Sequence, residues 1–463
     1  MKRVCLVVDH PLRDLDGLVL LGAHLASRGI EVFLVPMYDK HEVWLLRPDF
    51  VLLNYLRYAH SGFVKACQAV GVDVGVVDTE GGERIDFGMF ATLVEPFMPG
   101  VRLYCVWGRA QYKALEMNAR RHGVVLEDTG SPRYDFAVAP WSAALPPVDA
   151  GTGPMILVNT NFRLLNSRFR TVEQEIVEVI HAGYSEATAR RIIDQSREAW
   201  TAMLEAIGTL ACGFPQARVV VRPHPFENPR LLEEACSQWA NVQVRQEGTV
   251  FAWIHRASVI VHHNCSTAVE SVMSGREPIM PDWFDAPDLY QPASAAVSHR
   301  VKSPGELEAT VGRILAGEVL PESLALERVR SDTIADFFHA NDGRSSERVA
   351  DAIERVLTSQ PPSTHGARAD NFWKLVRIGR PRERLQRAAV LALGSALYRR
   401  IRDGLRRSPT RRAKHFDVAQ VQGLVERLGR IEPKFSGLVV DPAARGAAAV
   451  RIASKPPSNA STD

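Results

Sequence analysis

Residues 4–35 read VCLVVDHPLRDLDGLVLLGAHLASRGIEVFLV. The run Val4-Cys-Leu-Val-Val8 predicts a short buried strand and Asp9 to Asp16 a polar loop. Gly17 to Arg28 predicts a helix, stopped by Gly29 before a second strand at Glu31-Val-Phe-Leu-Val35. That order is a βαβ unit. The theme continues with strands at Phe50–Leu53, Val74–Val77 and Leu103–Val106 and a helix near Gly62 to Val70. Such continuous apolar runs predict a parallel sheet covered by helices on both faces.

Ala137 to Pro154, rich in proline, glycine and alanine without periodicity, reads as a linker. Beyond it the pattern restarts with strands at Met155–Val158, Arg218–Val221, Val242–Val244, Val259–Val261 and Glu277–Met280. A helical region from Arg170 to Ala211 breaks near Gly183. The expected division is residues 1–140 and 151–358 as two Rossmann-like domains facing across a cleft, with 360–463 as a basic helical extension and disordered tail. Phe372 to Lys414 reads as helices interrupted at Pro381 and Pro409, and the last 20 residues as disordered.

The 463 residues exceed a single small core, and 46 % apolar with 24 % charged residues excludes global disorder. MKRVC runs straight into a strand with no cleavage site, so no secretory signal is expected. The apolar run Ala388 to Tyr398 has 11 residues, against the ~20 of a membrane-spanning helix. Six scattered cysteines without CxxC spacing argue against structural zinc and a disulfide framework and fit a reducing cytoplasm. The net charge of +3 conceals an asymmetry: residues 1–366 carry −10, while residues 367–414 hold 15 basic and 3 acidic side chains, a net of +12. That segment interleaves arginines with Phe372, Trp373, Leu375 and Val376, which predicts a basic amphipathic surface for an anionic membrane. The rival is an arginine-rich helix packed back on the body. With no nucleic-acid module alongside, nucleic acid is not an expected partner.

Ligands of α/β sheets sit beyond the carboxyl ends of strands, which selects four loops. Arg222-Pro-His-Pro225 holds His224 between two prolines in a stiff, extended loop, suited to a phosphate contact or to a structural turn. In His262-His-Asn-Cys-Ser-Thr-Ala-Val-Glu270, Thr267 and Glu270 have capping-box spacing, and Ser266 and Thr267 also open a helix whose N–H groups suit an anion. His262 and His263 point to opposite faces of a strand, so no metal is expected there. Asp78-Thr-Glu-Gly-Gly82 sets two carboxylates at a strand end, as a general base or as a solvated turn. The Asp9-to-Gly17 loop offers Arg13, Asp14 and Asp16 to bind hydroxyls or to cap the first helix. No Walker loop, post-strand GxGxxG, GxSxG or HExxH occurs.

Together the RPHP loop, the Ser/Thr-bearing helix start about 40 residues on and the acidic, glycine-ended loop resemble three motifs of bacterial CMP-sugar transferases. Those are the sialyltransferases and capsule Kdo transferases of the GT-B fold. The phrases Asp78-Thr-Glu-Gly-Gly82, Gly130-Ser-Pro-Arg-Tyr-Asp135, Leu157-Val-Asn-Thr-Asn-Phe162 and Asp342-Gly-Arg-Ser-Ser-Glu-Arg348 look more specifically like a family of surface carbohydrate biosynthesis proteins, distantly similar to the CDP-glycerol glycerophosphotransferases. The resemblance spans roughly residues 1–355.

It implies a glycosyltransferase of surface polysaccharide assembly, moving Kdo or a related 2-keto acid sugar from a CMP donor to a glycan or lipid-linked glycan. The CMP-sugar is then a co-substrate and no metal or cofactor is needed. The place of action is the inner face of the cytoplasmic membrane. His224 would contact the donor phosphate or cytidine, and Ser266 and Thr267 the phosphate. Asn161, Arg222, Pro225, Asn264 and Glu270 would lie about the donor, and Arg13, Asp14 and Asp16 about the acceptor. Glu80 or Asp78 would act on the acceptor, with Thr79 between the acids a departure from the family pattern. The alternatives are a CDP-glycerol or polyol phosphotransferase and a non-catalytic sugar-nucleotide-binding assembly protein.

Overall fold

The structure, a computed structural model, describes residues 1–81, 86–149, 151–181, 184–359, 375–379, 381–405, 409–443 and 448–455. The chain forms two compact units, one of Met1–Leu145 with Asp336–Asp463 and one of Pro146–Ala335. Each is a Rossmann-like αβα layer, the two-domain α/β class expected.

In the first unit β1 (Arg3–Val8) lies between β2 (Glu31–Pro36) and β3 (Phe50–Leu53). The sheet continues in parallel through β4 (Asp73–Val77), β5 (Leu103–Val106) and β6 (Val125–Asp128). Val4 to Val8 and Val32 to Val35 are buried because helices cover both faces, which is why these strands read as unbroken apolar runs. The chain steps to one side of β1 and then to the other. The crevice where strand order reverses therefore opens beyond β1 and β3, at the loops starting with Asp9 and Asn54.

The second unit repeats the plan with β7 (Met155–Asn159), β8 (Arg218–Arg222), β9 (Val242–Val244), β10 (Val259–His262), β11 (Pro278–Pro281) and β12 (His299–Val301), all parallel, in the order β12-β11-β10-β7-β8-β9. Its reversal lies between β7 and β10. The anticipated helical region divides into Val172–His181 and Glu186–Gly213, and Gly183 lies outside the described residues.

The expected boundaries need correction. The division falls inside the anticipated linker, but the chain returns to the first unit at Asp336. The helix Ser345–Thr358, assigned above to the second domain, belongs to the first. There the Asp135 carboxylate accepts the backbone N–H groups of Ser345 at 2.8 Å and Ser346 at 2.7 Å, an acid on the positive end of a helix. Arg348 donates to Thr129 O at 2.8 Å, and Trp141 Nε1 to Gly343 O at 2.8 Å. Two of the quoted phrases, Gly130 to Asp135 and Asp342 to Arg348, thus form a clamp on each other.

The extension also departs from a helical tail. β13 (Leu438–Pro442) and β14 (Val450–Ser454) pair antiparallel, and β14 adds antiparallel to β2, so Val450–Ser454 of the tail expected to be disordered is sheet. Residues 456–463 lie outside the described ones. Ile452 and Ala453 bury apolar surface that a tail would expose. Pro381 and Pro409 open helices as N-terminal residues, and the apolar run Ala388 to Tyr398 is split at Gly394, whose φ of 73° ends one helix before Ser395–Leu405 begins. Phe372 and Trp373 lie outside the described residues.

Many of the basic side chains turn inward. The carboxylate of Asp39, wholly buried, accepts from Arg402 at 2.7 Å, from Arg411, and lies 3.1 Å from His415 Nε2. Burial works against its charge, but His415 and Arg402 outweigh that and hold it below the usual carboxylate range. Arg399 pairs with Glu42 at 3.3 Å, and Arg387 donates to the Leu375 and Ile378 carbonyls. Among the described residues no helix is long and apolar enough to cross a membrane.

Candidate functional site

Each unit has a cluster where its strand order reverses. In the first, the chain leaves β1 at Asp9-His10 and winds Pro11–Leu15 as one π-helical turn before the helix Asp16–Ser27, a local geometry frequent at functional sites. Leu12 N–H donates to His10 Nδ1 at 3.3 Å, and His10 N–H to Asp14 Oδ2 at 3.0 Å. Gly17 is needed because a Cβ there would sit 2.5 Å from Arg133 N, so the helix start packs directly on backbone.

Arg13 gathers the acids. It reaches Asp9 at 2.6 Å, Asp14 at 3.2 Å and Glu80 at 3.3 Å, while Arg57 stands 3.8 Å from the other Glu80 oxygen. Burial pulls the Arg13 guanidinium down, but Asp14, Glu80 and Asp9 outweigh it and hold it above its ordinary value. Burial likewise pushes Asp14 up against the pull of Arg13. A further cation comes from the far end of the chain: Lys414 Nζ lies 2.6 Å from Asp9 Oδ1, both side chains buried. Sequence reading missed Asp9, Arg57 and Lys414, since nothing local links residues 9 and 414.

The two acids of the β4 loop part company. Asp78 is buried and its Oδ2 accepts from Tyr104 O–H and from Gln111 Nε2 at 2.8 Å, while its carbonyl accepts Trp107 Nε1 at 2.7 Å. It holds the turn and, with Asp14, lines a cavity of about 30 Å³, room for one or two waters. Glu80 has a side chain 48 % exposed. Gly82, the end of that motif, lies outside the described residues. Asp16, expected with the acceptor group, instead opens the helix, and its charge bears on Arg427.

In the second unit the hub is Glu227, which sequence reading did not single out. Wholly buried, its carboxylate accepts from Thr160 Oγ1 at 2.9 and 3.0 Å, Phe162 N at 2.9 Å and His224 N at 3.1 Å. It pins the loop after β7 to the loop after β8. Burial pushes its carboxyl up to about 7, although those hydrogen bonds oppose the shift. The signal was there in Arg222-Pro-His-Pro-Phe-Glu227, an acid three residues past the histidine.

Phe226 N–H donates to His224 Nδ1 at 3.2 Å, which places the proton of a neutral imidazole on Nε2 and makes that nitrogen a donor. His10-Pro11-Leu12 repeats the arrangement in the first unit. Asn161 Nδ2 reaches Asn264 O at 3.5 Å across the reversal between β7 and β10.

Two of the expected donor contacts hold other partners. Arg222 is buried and donates to Gln246 O at 3.1 Å and Gly248 O at 2.6 Å, so it fixes the β9 loop; burial lowers it to about 10 against the pull of Glu270. Asn264, at φ 44°, donates to Leu289 O and accepts from Gln291 N at 2.9 Å, a local use of the left-handed region that asparagine tolerates. The capping box is not formed: Ser266 is the N-cap, in helical conformation with no side-chain cap, which leaves Thr267 as the first helical residue and Glu270 buried behind it. Pro225 lies in the turn that follows β8.

Beyond β10, β11 and β12 lies a cavity of about 320 Å³ lined by His263, Asn264, Asp282, Phe284, Tyr290 and Arg300. His263 stacks on Phe162 with centroids 4.7 Å apart at 7°, and burial lowers it to about 4, so it is neutral. Burial also lowers His262, to about 3, and its Nε2 lies 2.8 Å from Ser298 Oγ. Arg300 pairs with Asp282 at 2.6 Å and covers Tyr290 at 5.5 Å. The aromatic walls and polar rim suit a flat heterocycle.

No family model matches the chain, and no curated protein sequence does. Among solved structures it is similar to the UDP-GlcNAc 2-epimerase of Methanocaldococcus jannaschii, at 13 % identity and a TM-score of 0.47 over 78 % of this chain and 100 % of that one. A glycosyltransferase of kitacinnamycin matches at 16 % identity and 0.43, over 76 % and 98 %. The wall teichoic acid polymerase TagF matches at 9 % and 0.39, over 68 % and 73 %.

Proposed function

We propose that the chain is a metal-independent GT-B glycosyltransferase that moves Kdo or a related 2-keto acid sugar from a CMP donor to a glycan acceptor in surface polysaccharide assembly. The observation that carries the reading is the Glu227 pin. It fixes the β7 and β8 loops where the second sheet reverses and presents His224 with a donor at Nε2. A nucleoside phosphate bound there meets the His224 N–H, and the cavity beyond β10–β12 takes the base. In the first unit, Arg13 and Arg57 flank the solvent-facing Glu80, and the proposal assigns it the base role because Asp78 is occupied in holding its turn. The acceptor oxygen attacks the anomeric carbon, its proton passes to Glu80, and the bond to phosphate breaks with its electron pair leaving on CMP.

The test is incubation of the protein with CMP-Kdo, CDP-glycerol and UDP-GlcNAc in turn, reading nucleotide release. Release of CMP from CMP-Kdo supports the reading. Turnover of CDP-glycerol alone moves the function to a polyol phosphotransferase, and binding without any turnover to an assembly protein.

A further inference from the structure

The helix Ser395–Leu405 is turned inside out. Its inward side carries Arg399 and Arg402, paired with the buried acids Glu42 and Asp39. Its outward side carries Leu397, 48 % exposed, and one turn on Ile401, 45 % exposed, with Arg400 beside them. On the preceding helix, Leu385 and Leu393, two turns apart, are 70 % and 43 % exposed. A surface helix ordinarily buries its leucines and shows its arginines, and clustered exposed apolar side chains mark an interaction surface.

We propose that this outward face docks on an anionic lipid bilayer. Its charge identifies the occupant. Among the described residues of 375–412, the exposed cations are Arg377, Arg382, Arg384, Arg400 and Arg412, and the exposed acid is Asp403, whose carboxylate is taken by Arg402 and Arg411. Leucines that enter the acyl boundary with arginines at headgroup level are the pattern of an interfacial helix. The structure changes the mechanism that the +12 charge predicted. About half of the described cations are spent inside the fold, so apolar insertion carries the binding and the exposed arginines select anionic lipid. The inference rests on the proposed transferase only for its purpose, bringing the enzyme to a lipid-linked acceptor. Vesicle binding and nucleotide release are separate readouts, so each fails independently.

The experiment is flotation of the full-length protein with vesicles of phosphatidylglycerol and phosphatidylethanolamine, and with phosphatidylcholine alone. The wild type is expected to float with the anionic vesicles only. Leu397→Gln combined with Ile401→Gln is expected to cut bound protein about tenfold or more at an unchanged melting temperature, and Arg400→Gln to cut it less. Equal flotation of the double variant overturns the proposal, as does no binding by the wild type at low salt. A wild-type dimer that the double variant turns into a monomer, without vesicle binding by either, overturns it in favour of a second copy of the chain.

Discussion

Replacing Glu227 by alanine removes the acceptor for three groups at once: the N–H of Phe162, the N–H of His224 and the hydroxyl of Thr160. The carboxylate is wholly buried. Each buried donor stripped of its partner costs about 1–3 kcal/mol, so Glu227→Ala is expected to cost roughly 3–9 kcal/mol, less whatever water recovers in the hole. Glu227→Gln keeps one carbonyl oxygen where Oε1 now accepts both backbone N–H groups, and its amide faces a hydroxyl that can accept, so its cost is expected within about 1 kcal/mol.

The two variants also separate structure from charge. Burial raises the carboxyl to about 7 from an ordinary 4.5, so the folded chain keeps a proton that the unfolded chain releases. Its contribution is complete below pH 4.5 and is lost as the pH rises through 7, by at most about 3 kcal/mol. Urea denaturation across that range should show this slope in the wild type and its loss in Glu227→Gln. An alanine variant within about 1 kcal/mol of wild type, or the same pH slope in the glutamine variant, refutes the pin.

His224→Ala is expected to lower nucleotide release more than tenfold at an unchanged melting temperature, since the half-buried ring packs little core; a rate above about a tenth of wild type means another group serves the phosphate. Glu80→Gln is expected to lower turnover by ~10²–10⁴ with donor affinity little changed, read as kcat against KM over pH, and unchanged turnover sends the base role to Asp78 or Asp14. Lys414→Met leaves Asp9 buried with Arg13 as its remaining close cation and is expected to cost about 3–5 kcal/mol in denaturation. A loss under about 1 kcal/mol would show that the C-terminal segment does not brace the β1 loop.

The sequence by itself determined the two parallel sheets. A strand covered on both faces must be apolar throughout, and that requirement is written in consecutive residues such as Val4 to Val8 and Val219 to Val221. It also singled out the loops beyond those strands, because a strand end followed by prolines, acids or histidines is a local signal. Arg13, Asp14 and Glu80 do meet, Asn161 reaches Asn264 across the reversal of the second sheet, and His224 stands in the loop of the neighbouring strand β8.

What those residues do there was a tertiary decision. A side chain's role depends on which donors and acids reach it, and these come from distant parts of the chain. Asp78 and Glu80 look alike in sequence, but Tyr104 and Gln111 claim one and leave the other facing solvent. Arg222 and Asn264 carry the right chemistry for a donor and spend it on backbone carbonyls. The +12 of residues 367–414 was legible as a sum, whereas its distribution was not. Asp9 and Asp39 draw Lys414, Arg402 and Arg411 inward across more than 360 residues, because a buried carboxylate needs a cation or a set of hydrogen-bond donors beside it. The same folding that satisfies those acids leaves Leu397 and Ile401 on the outside.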